Sequence, residues 1–122
     1  MTNTATGTKR LVNCIKLACK ITVYVPGTTG AATEGDTSAY VDSTAALLSE
    51  LFGGATSTPA AGYWMSKTFG LIRERTTIVF AYADSAKLDA GIDDVVVHCE
   101  AMRDAFGQEA VALEVNGEMY FI

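Results

Sequence analysis

The feature that most constrains the fold is Asn116-Gly117, which lies between two runs that alternate apolar and polar residues. Asn-Gly is typical of a two-residue β-hairpin, because both turn residues adopt positive φ angles. The turn fixes the register, and the predicted cross-strand pairs are Val115–Glu118, Leu113–Tyr120 and Val111–Ile122. These pairs share one face of the hairpin, which we expect helices to cover. Met119 and Phe121 then lie on the opposite face.

A second alternating run extends from Leu11 to Val25. A period of two residues predicts a β-strand with one apolar face. At about 3.3 Å per residue the run would span roughly 50 Å, which exceeds the usual strand length. Three forms remain open: a strand that bends near Cys19, a strand whose first half pairs with another subunit, and a short helix over residues 10–18.

Two helices are predicted from apolar residues at helical spacing. The first follows a Gly/Thr loop at residues 26–35, is capped by Asp36, Thr37 or Ser38, and ends at Gly53-Gly54. The second begins at Asp84 or Ser85 and ends at Gly107. Its apolar stripe consists of Leu88, Ile92, Val95, Val96, Cys99, Met102 and Phe106.

Two strands are predicted between these helices. Thr56–Met65 contains Pro59, which makes it irregular or places it at a sheet edge. Leu71–Tyr82 is rich in β-branched and aromatic residues. The resulting order, β-α-β-β-α-β with a closing hairpin, predicts an α+β ferredoxin-like sandwich, in which an antiparallel sheet has helices on one face. We expect a single domain over residues 9–122 and a disordered tip at residues 1–8.

Charge is distributed unevenly along the chain. Residues 1–33 carry four basic residues and no acidic one, whereas the remainder carries five basic and fourteen acidic residues, giving +4 and −9. An acidic body argues against binding of long nucleic acid, which requires several contacts that neutralise phosphates. A small anion needs only two or three cations and is compatible with this composition.

The remaining composition suggests no metal or cofactor. Cys14, Cys19 and Cys99 form no CxxC pair, and His98 is the only histidine. No stretch is long and apolar enough to span a membrane. The sequence therefore predicts a cytoplasmic protein with reduced thiols.

Arg73 and Arg75 are the best candidates for ligand contacts. Two residues apart in a predicted strand, they share a face, and Glu74 points to the other side. Two guanidinium groups on one face suit a phosphate or carboxylate. The alternative is structural pairing with acidic side chains such as Glu109 or Glu114. Glu74 is interpreted as architectural.

Further candidates surround these arginines. Tyr63 and Trp64 could stack on a base, and Lys67 could contact an anion. No phosphate-binding GxxxxGK[ST] motif is present. His98, Asp93 and Asp94 are interpreted as the surface of a helix.

An uncovered sheet face that carries aromatic residues favours self-association. We therefore predict a homodimer or a larger homo-oligomer. Its predicted interface residues are Met119, Phe121, Leu11 and Ile15. The alternative is that the Gly/Thr loop of the same chain covers the face.

Four stretches resemble an uncharacterised family of small bacterial and mobile-element proteins: Gly53-Gly54-Ala55-Thr56, Gly62-Tyr63-Trp64, Gly70-Leu71-Ile72-Arg73-Glu74 and Phe106-Gly107-Gln108-Glu109-Ala110-Val111. The resemblance covers about residues 21–122. It implies a ferredoxin-like fold and a phage or plasmid context, and it transfers no catalytic residue. If a phage encodes the protein, the resemblance implies a location in the host cytoplasm.

The first functional hypothesis is a non-enzymatic homo-oligomer that sequesters a small anionic nucleotide signal, in a counter-defence role. The ligand would contact Arg73, Arg75 and Trp64 near subunit boundaries. The second is a protein-interaction module whose acidic surface binds a basic protein. The third is a small ferredoxin-like enzyme of the monooxygenase or isomerase type, with His98 or Tyr63 in a pocket.

Overall fold

The computed structural model describes residues 9–27 and 34–122, and of residues 34–36 it describes the backbone only. After a short 3-10 helix at Leu11–Asn13, the elements are β1 (Cys19–Pro26), α1 (Glu34–Phe52), β2 (Thr56–Ser66), β3 (Gly70–Ala83), α2 (Ser85–Phe106), β4 (Ala112–Val115) and β5 (Glu118–Phe121). The predicted tip at residues 1–8 and most of the predicted Gly/Thr loop lie outside the described residues.

The strands form one five-stranded sheet in the order β2-β3-β1-β4-β5. Every neighbouring pair is antiparallel. The first four strands and the two helices reproduce the ferredoxin-like order, so the predicted fold class is confirmed. The strand β5 extends the sheet at the β4 edge.

The core lies between one face of the sheet and the two helices. Central strand positions alternate, because successive side chains point to opposite faces. On β1, for example, Ile21, Val23 and Val25 are completely buried. The helices contribute Leu48, Phe52, Leu88, Val95, Cys99, Met102 and Phe106. We call the other face of the sheet the open face.

The second helix has the predicted ends. The Asp84 carboxylate accepts a hydrogen bond from the Lys87 amide at 2.8 Å, which satisfies a free N–H group of the first turn. Gly107 ends the helix in the left-handed conformation with φ 64°. The first helix starts earlier than predicted: its backbone is helical from Glu34, so the predicted caps at 36–38 lie inside it. Capping residues are also accommodated in a first turn, where N–H groups are still free.

The C-terminal hairpin has the predicted register and turn. Leu113 pairs with Tyr120 and Val115 with Glu118. Positive φ angles of 52° at Asn116 and 84° at Gly117 form the turn. The expected helix cover is wrong for β5, whose four residues are all exposed. Leu113 is buried, but its partner Tyr120 is half-exposed, because β5 is an edge strand.

The first strand is shorter than the alternating run that predicted it. β1 begins at Cys19, opposite Ala83 at the end of β3. Residues 11–13 form a 3-10 helix, so the alternative of a helix over residues 10–18 is correct only in its first turn. A strand needs a hydrogen-bonded neighbour, and the chain after Ala83 turns into α2. The residues before Cys19 therefore have no strand beside them.

Candidate ligand-binding site

The candidate site lies on a two-stranded extension of the sheet. The strands β2 and β3 pair from Thr56–Phe80 to Ser66–Gly70, whereas β1 reaches only as far as Thr76. We call the extension, residues 61–66 and 70–75, the ribbon. The side chain of Ser66 closes its turn by accepting hydrogen bonds from the amides of Thr68 and Phe69 at 3.2 and 3.1 Å.

The ribbon face that continues the open face holds a tryptophan and a carboxylate. Trp64 lies opposite Ile72, and Gly62 lies opposite Glu74. The indole Nε1 of Trp64 donates a hydrogen bond to Glu74 Oε1 at 3.1 Å. Half of the Trp64 surface is exposed, so the ring offers an open face beside a negative charge. Such a pair suits a planar, cationic or hydrogen-bonding ligand.

The other ribbon face continues the helix-covered side and is cationic. Tyr63 lies directly opposite Arg73, and Arg75 lies opposite Ala61, so the two arginines share a face as predicted. Among the described residues, no side-chain hydrogen bond or ion pair involves Arg73. Glu114, one of the acids considered as a partner for the arginines, instead accepts a hydrogen bond from Tyr24 at 3.3 Å on the open face.

The sequence-predicted site residues therefore fall into two groups. Trp64 lies on one face of the ribbon, whereas Tyr63, Arg73 and Arg75 lie on the other. Lys67 lies in the turn between the strands. Within one chain, a small ligand cannot contact both groups.

A cavity of about 220 Å³ lies at the base of the ribbon. Its walls come from the end of β1, the first turns of α1 and both ribbon strands, and include Gly27, Thr37, Ser38, Pro59 and Arg75. The Gly27 amide donates to the Arg75 carbonyl at 2.9 Å. A Cβ at Gly27 would lie 2.6 Å from Arg75 Cβ, so the approach requires glycine. The volume is below the usual range for ligand pockets, about 300–1,000 Å³.

Other titratable groups are packed into the fold. His98 Nε2 lies 2.7 Å from Thr44 Oγ1, between the two helices, and burial lowers the pKa of His98. Burial, with a smaller contribution from Glu100, raises the pKa of the Cys99 thiol to about 12. These environments are typical of structural side chains rather than of a catalytic acid or nucleophile.

No metal site or membrane span is evident in the part of the chain that the structure describes. Among the side chains that the structure describes, those of residues 9–27 and 37–122, no group of three His, Cys, Asp or Glu is positioned to hold a metal ion. Within the same ranges, neither helix combines the length and apolar character that crossing a membrane would require.

The predicted interface residues are all exposed. Met119 and Phe121 lie on the open face with 46% and 74% of their surface accessible. Leu11 and Ile15 precede β1 and are exposed as well. Tyr82 and Trp64 extend the same apolar open face.

The Trp64–Glu74 contact was missed by the sequence analysis, which interpreted Glu74 as architectural. The sequence nevertheless contains a pattern from which this contact could be predicted. A turn near Lys67 brings Gly62-Tyr63-Trp64 beside Arg73-Glu74-Arg75, and cross-strand neighbours on one face then include Trp64 and Glu74.

The fold is similar to those of two solved structures. A phage SAM lyase in complex with S-methyl-5'-thioadenosine is 18% identical, with a TM-score of 0.57; the match covers 85% of this chain and 88% of that one. A phage SAM lyase in the apo state is 21% identical, with a TM-score of 0.52, over 87% and 89% of the two chains. At these identities the likeness shows a shared fold.

No protein-family model matches the sequence, and no similar curated protein was found. The resemblance to the uncharacterised mobile-element family therefore stays a prediction.

Proposed function

We propose that the protein binds S-adenosylmethionine (SAM) on the ribbon and cleaves it to S-methyl-5'-thioadenosine. The observation that carries the proposal is the Trp64–Glu74 pair, an open indole ring with a carboxylate 3.1 Å from its Nε1. The fold likeness to a phage SAM lyase with bound S-methyl-5'-thioadenosine, over 85% of this chain, supports the ligand class.

The chemistry of SAM suits this pair. SAM carries a planar adenine ring and a sulfonium cation. An exposed indole can stack on adenine, and both the indole face and the Glu74 carboxylate attract the cation. This ligand carries a sulfonium cation on the 5' carbon of its adenosine, in contrast to the anionic nucleotide of the sequence-based hypothesis.

The carboxylate of SAM would need a cationic partner. Arg73 and Arg75 supply guanidinium groups, but they lie on the ribbon face opposite Trp64. One ligand could contact both groups only if the arginines belong to the ribbon of another copy. The proposal therefore places the complete site between copies of the chain, in agreement with the predicted homo-oligomer.

The proposed reaction breaks the bond between the sulfonium sulfur and the four-carbon amino-acid fragment. The bonding electron pair stays on sulfur and cancels its charge, which yields S-methyl-5'-thioadenosine. The fragment leaves as an alkene when water takes a proton from the carbon adjacent to the broken bond, or as a lactone closed by its own carboxylate. Neither route consumes a cofactor.

Calorimetry and chromatography together test the proposal. We expect SAM and S-methyl-5'-thioadenosine to bind to the purified protein, and S-methyl-5'-thioadenosine to accumulate when SAM is added. If neither compound binds to folded protein, the proposal is wrong.

A second candidate is sequestration of a nucleotide signal without turnover, as a counter-defence protein would require. The shared face of Arg73 and Arg75 favours it, because two guanidinium groups suit a phosphate. A nucleotide panel in the same calorimeter distinguishes the candidates: nucleotide binding that Arg73→Ala abolishes, without release of S-methyl-5'-thioadenosine from SAM, supports sequestration.

A further inference from the structure

The segment before β1, residues 9–17, forms an exposed basic and apolar surface. It carries Lys9, Arg10 and Lys16 and no acidic residue. Val12 and Ile15 expose 79% and 92% of their surface, and the segment has no buried residue. Several apolar side chains exposed to this degree within one short segment are typical of a contact surface.

The register of β1 fixes where this segment leaves the sheet. Asn116 exchanges two hydrogen bonds with the backbone of Lys20, each 2.9 Å long. Cys19 is also held opposite Ala83 in β3. Residues 9–17 extend beyond this anchored end, where they remain exposed.

The outer face of α2 has the complementary charge. Asp89, Asp93, Val97, Glu100 and Asp104 are all exposed, and their spacing places them on one side of the helix. Val97, with 61% of its surface accessible, is the large apolar residue within this acidic stripe. The stripe extends over about 22 Å, at 1.5 Å per residue.

We propose that residues 9–17 of one copy bind the acidic stripe on α2 of a second copy. Ile15 would pack on Val97, and Lys9 and Lys16 would pair with the flanking carboxylates. An apolar centre with charged side chains around it is the usual arrangement of a specific interface. Residues 9–17 carry three basic residues and no acidic one, so the chain itself supplies the charge complementary to the stripe. Such a contact joins two different surfaces, so it propagates or closes into a ring.

Cys14 offers a direct test, because it is exposed while Cys19 and Cys99 are buried. The full chain is labelled at Cys14 with a maleimide photo-crosslinker, irradiated at low micromolar concentration, separated under denaturing conditions and mapped by mass spectrometry. We expect a covalent dimer near twice 12.9 kDa, with the crosslink in α2 of the second copy. Crosslinks confined to one chain, crosslinks to another part of the second copy, or no dimer would each overturn the proposal. A Cys14→Ser chain controls for labelling elsewhere.

Charge exchange provides an independent test. The variant Lys9→Glu/Lys16→Glu should lower the dimer yield at least about tenfold, as should Asp89→Lys/Asp93→Lys. A mixture of the two variants should restore the yield in mixed dimers, because the charges are again opposite. The matched control is Asp42→Lys/Glu50→Lys, which reverses two exposed acids on α1 and should leave the yield unchanged. Equal losses in the mixture and in the single variants would contradict the proposed pairing.

Discussion

At the scale of single residues, the contact between His98 and Thr44 contributes to the response of stability to pH. Thr44 Oγ1 donates to the Tyr40 carbonyl at 2.6 Å, so it accepts a hydrogen bond from His98 Nε2 at 2.7 Å. Burial lowers the pKa of His98, so the folded state favours the neutral ring.

We predict that this preference destabilises the protein in mild acid. The stabilisation is fully present above the ordinary histidine pKa of 6.5 and is lost as the pH falls through the lower pKa of the folded state. Urea unfolding at pH 7.5 and at successively lower pH should show the loss, and His98→Gln should show a flatter profile over the same range. Parallel profiles for the two proteins would exclude His98 as the cause.

Thr22 offers a second prediction at this scale. Thr22 belongs to the open face, but only 2% of its surface is accessible. Within the described residues its Oγ1 has no hydrogen-bond partner. Thr22→Val replaces the hydroxyl by a methyl group of similar size. We expect the free energy of unfolding to rise by about 1 kcal/mol, because an unsatisfied buried hydroxyl is removed. A loss of similar size in chemical denaturation would reveal a partner for this hydroxyl.

Glu74 connects the residue scale to the proposed activity. Its carboxylate should attract the sulfonium of SAM but gain little from the neutral thioether of S-methyl-5'-thioadenosine. We predict that Glu74→Gln weakens SAM binding about tenfold, equivalent to about 1.4 kcal/mol, and changes binding of S-methyl-5'-thioadenosine less than threefold. Calorimetry with both ligands measures the difference, with Glu50→Gln on α1 as the control. Equal effects on both ligands would contradict a contact between Glu74 and the cation.

At the scale of elements, local patterns predicted both ends of the second helix and the turn of the hairpin. Asp84, Gly107 and Asn116-Gly117 act through neighbouring backbone groups, so their consequences are visible in sequence. The start of β1 is different. Alternation continues through residues 11–18, but strand pairing depends on where β3 and β4 end, which no local pattern shows.

The ribbon could not be predicted from the sequence for the same reason. The sequence predicted β2 and β3 and placed Arg73 and Arg75 on one face. How far these strands extend beyond β1 depends on the end of β1 at Pro26, opposite Thr76. The pairing of Trp64 with Glu74 required this register and a turn around Lys67.

We predict that the base of the ribbon is sensitive to one added methyl group. In Gly27→Ala the new Cβ would lie 2.6 Å from Arg75 Cβ and 2.7 Å from its carbonyl oxygen, so backbone atoms must move. We expect a loss of about 1–3 kcal/mol in unfolding free energy, typical of overpacking. Gly54→Ala, where no atom lies within 4 Å of the added Cβ, is the control in the same denaturation series. Similar stabilities for the two variants would indicate that the ribbon moves freely at its base.

At the scale of the whole molecule, the two faces of the sheet have unequal cover. Helices bury one face, whereas Trp64, Tyr82, Met119 and Phe121 remain exposed on the other. A two-stranded ribbon is also marginally stable in water without a packing partner. Both observations favour a second copy against the open face. The proposed site then requires this copy to present the arginine face of its ribbon to Trp64.

The corresponding prediction separates this contact from the one between residues 9–17 and α2. Phe121→Glu places a charge in the middle of the proposed open-face interface, where an unpaired buried carboxylate is costly. We expect sedimentation at micromolar concentration to show an oligomer for the native chain and a smaller species for Phe121→Glu, and SAM cleavage to fall with the loss of assembly. Ala46→Glu, an exposed position on α1, controls for the added charge.

Because the Cys14 crosslink uses other surfaces, it should survive in Phe121→Glu. The Lys9→Glu/Lys16→Glu variant should instead lose the crosslink and keep cleaving SAM. A native chain that sediments as a monomer and still cleaves SAM would place the complete site within one copy.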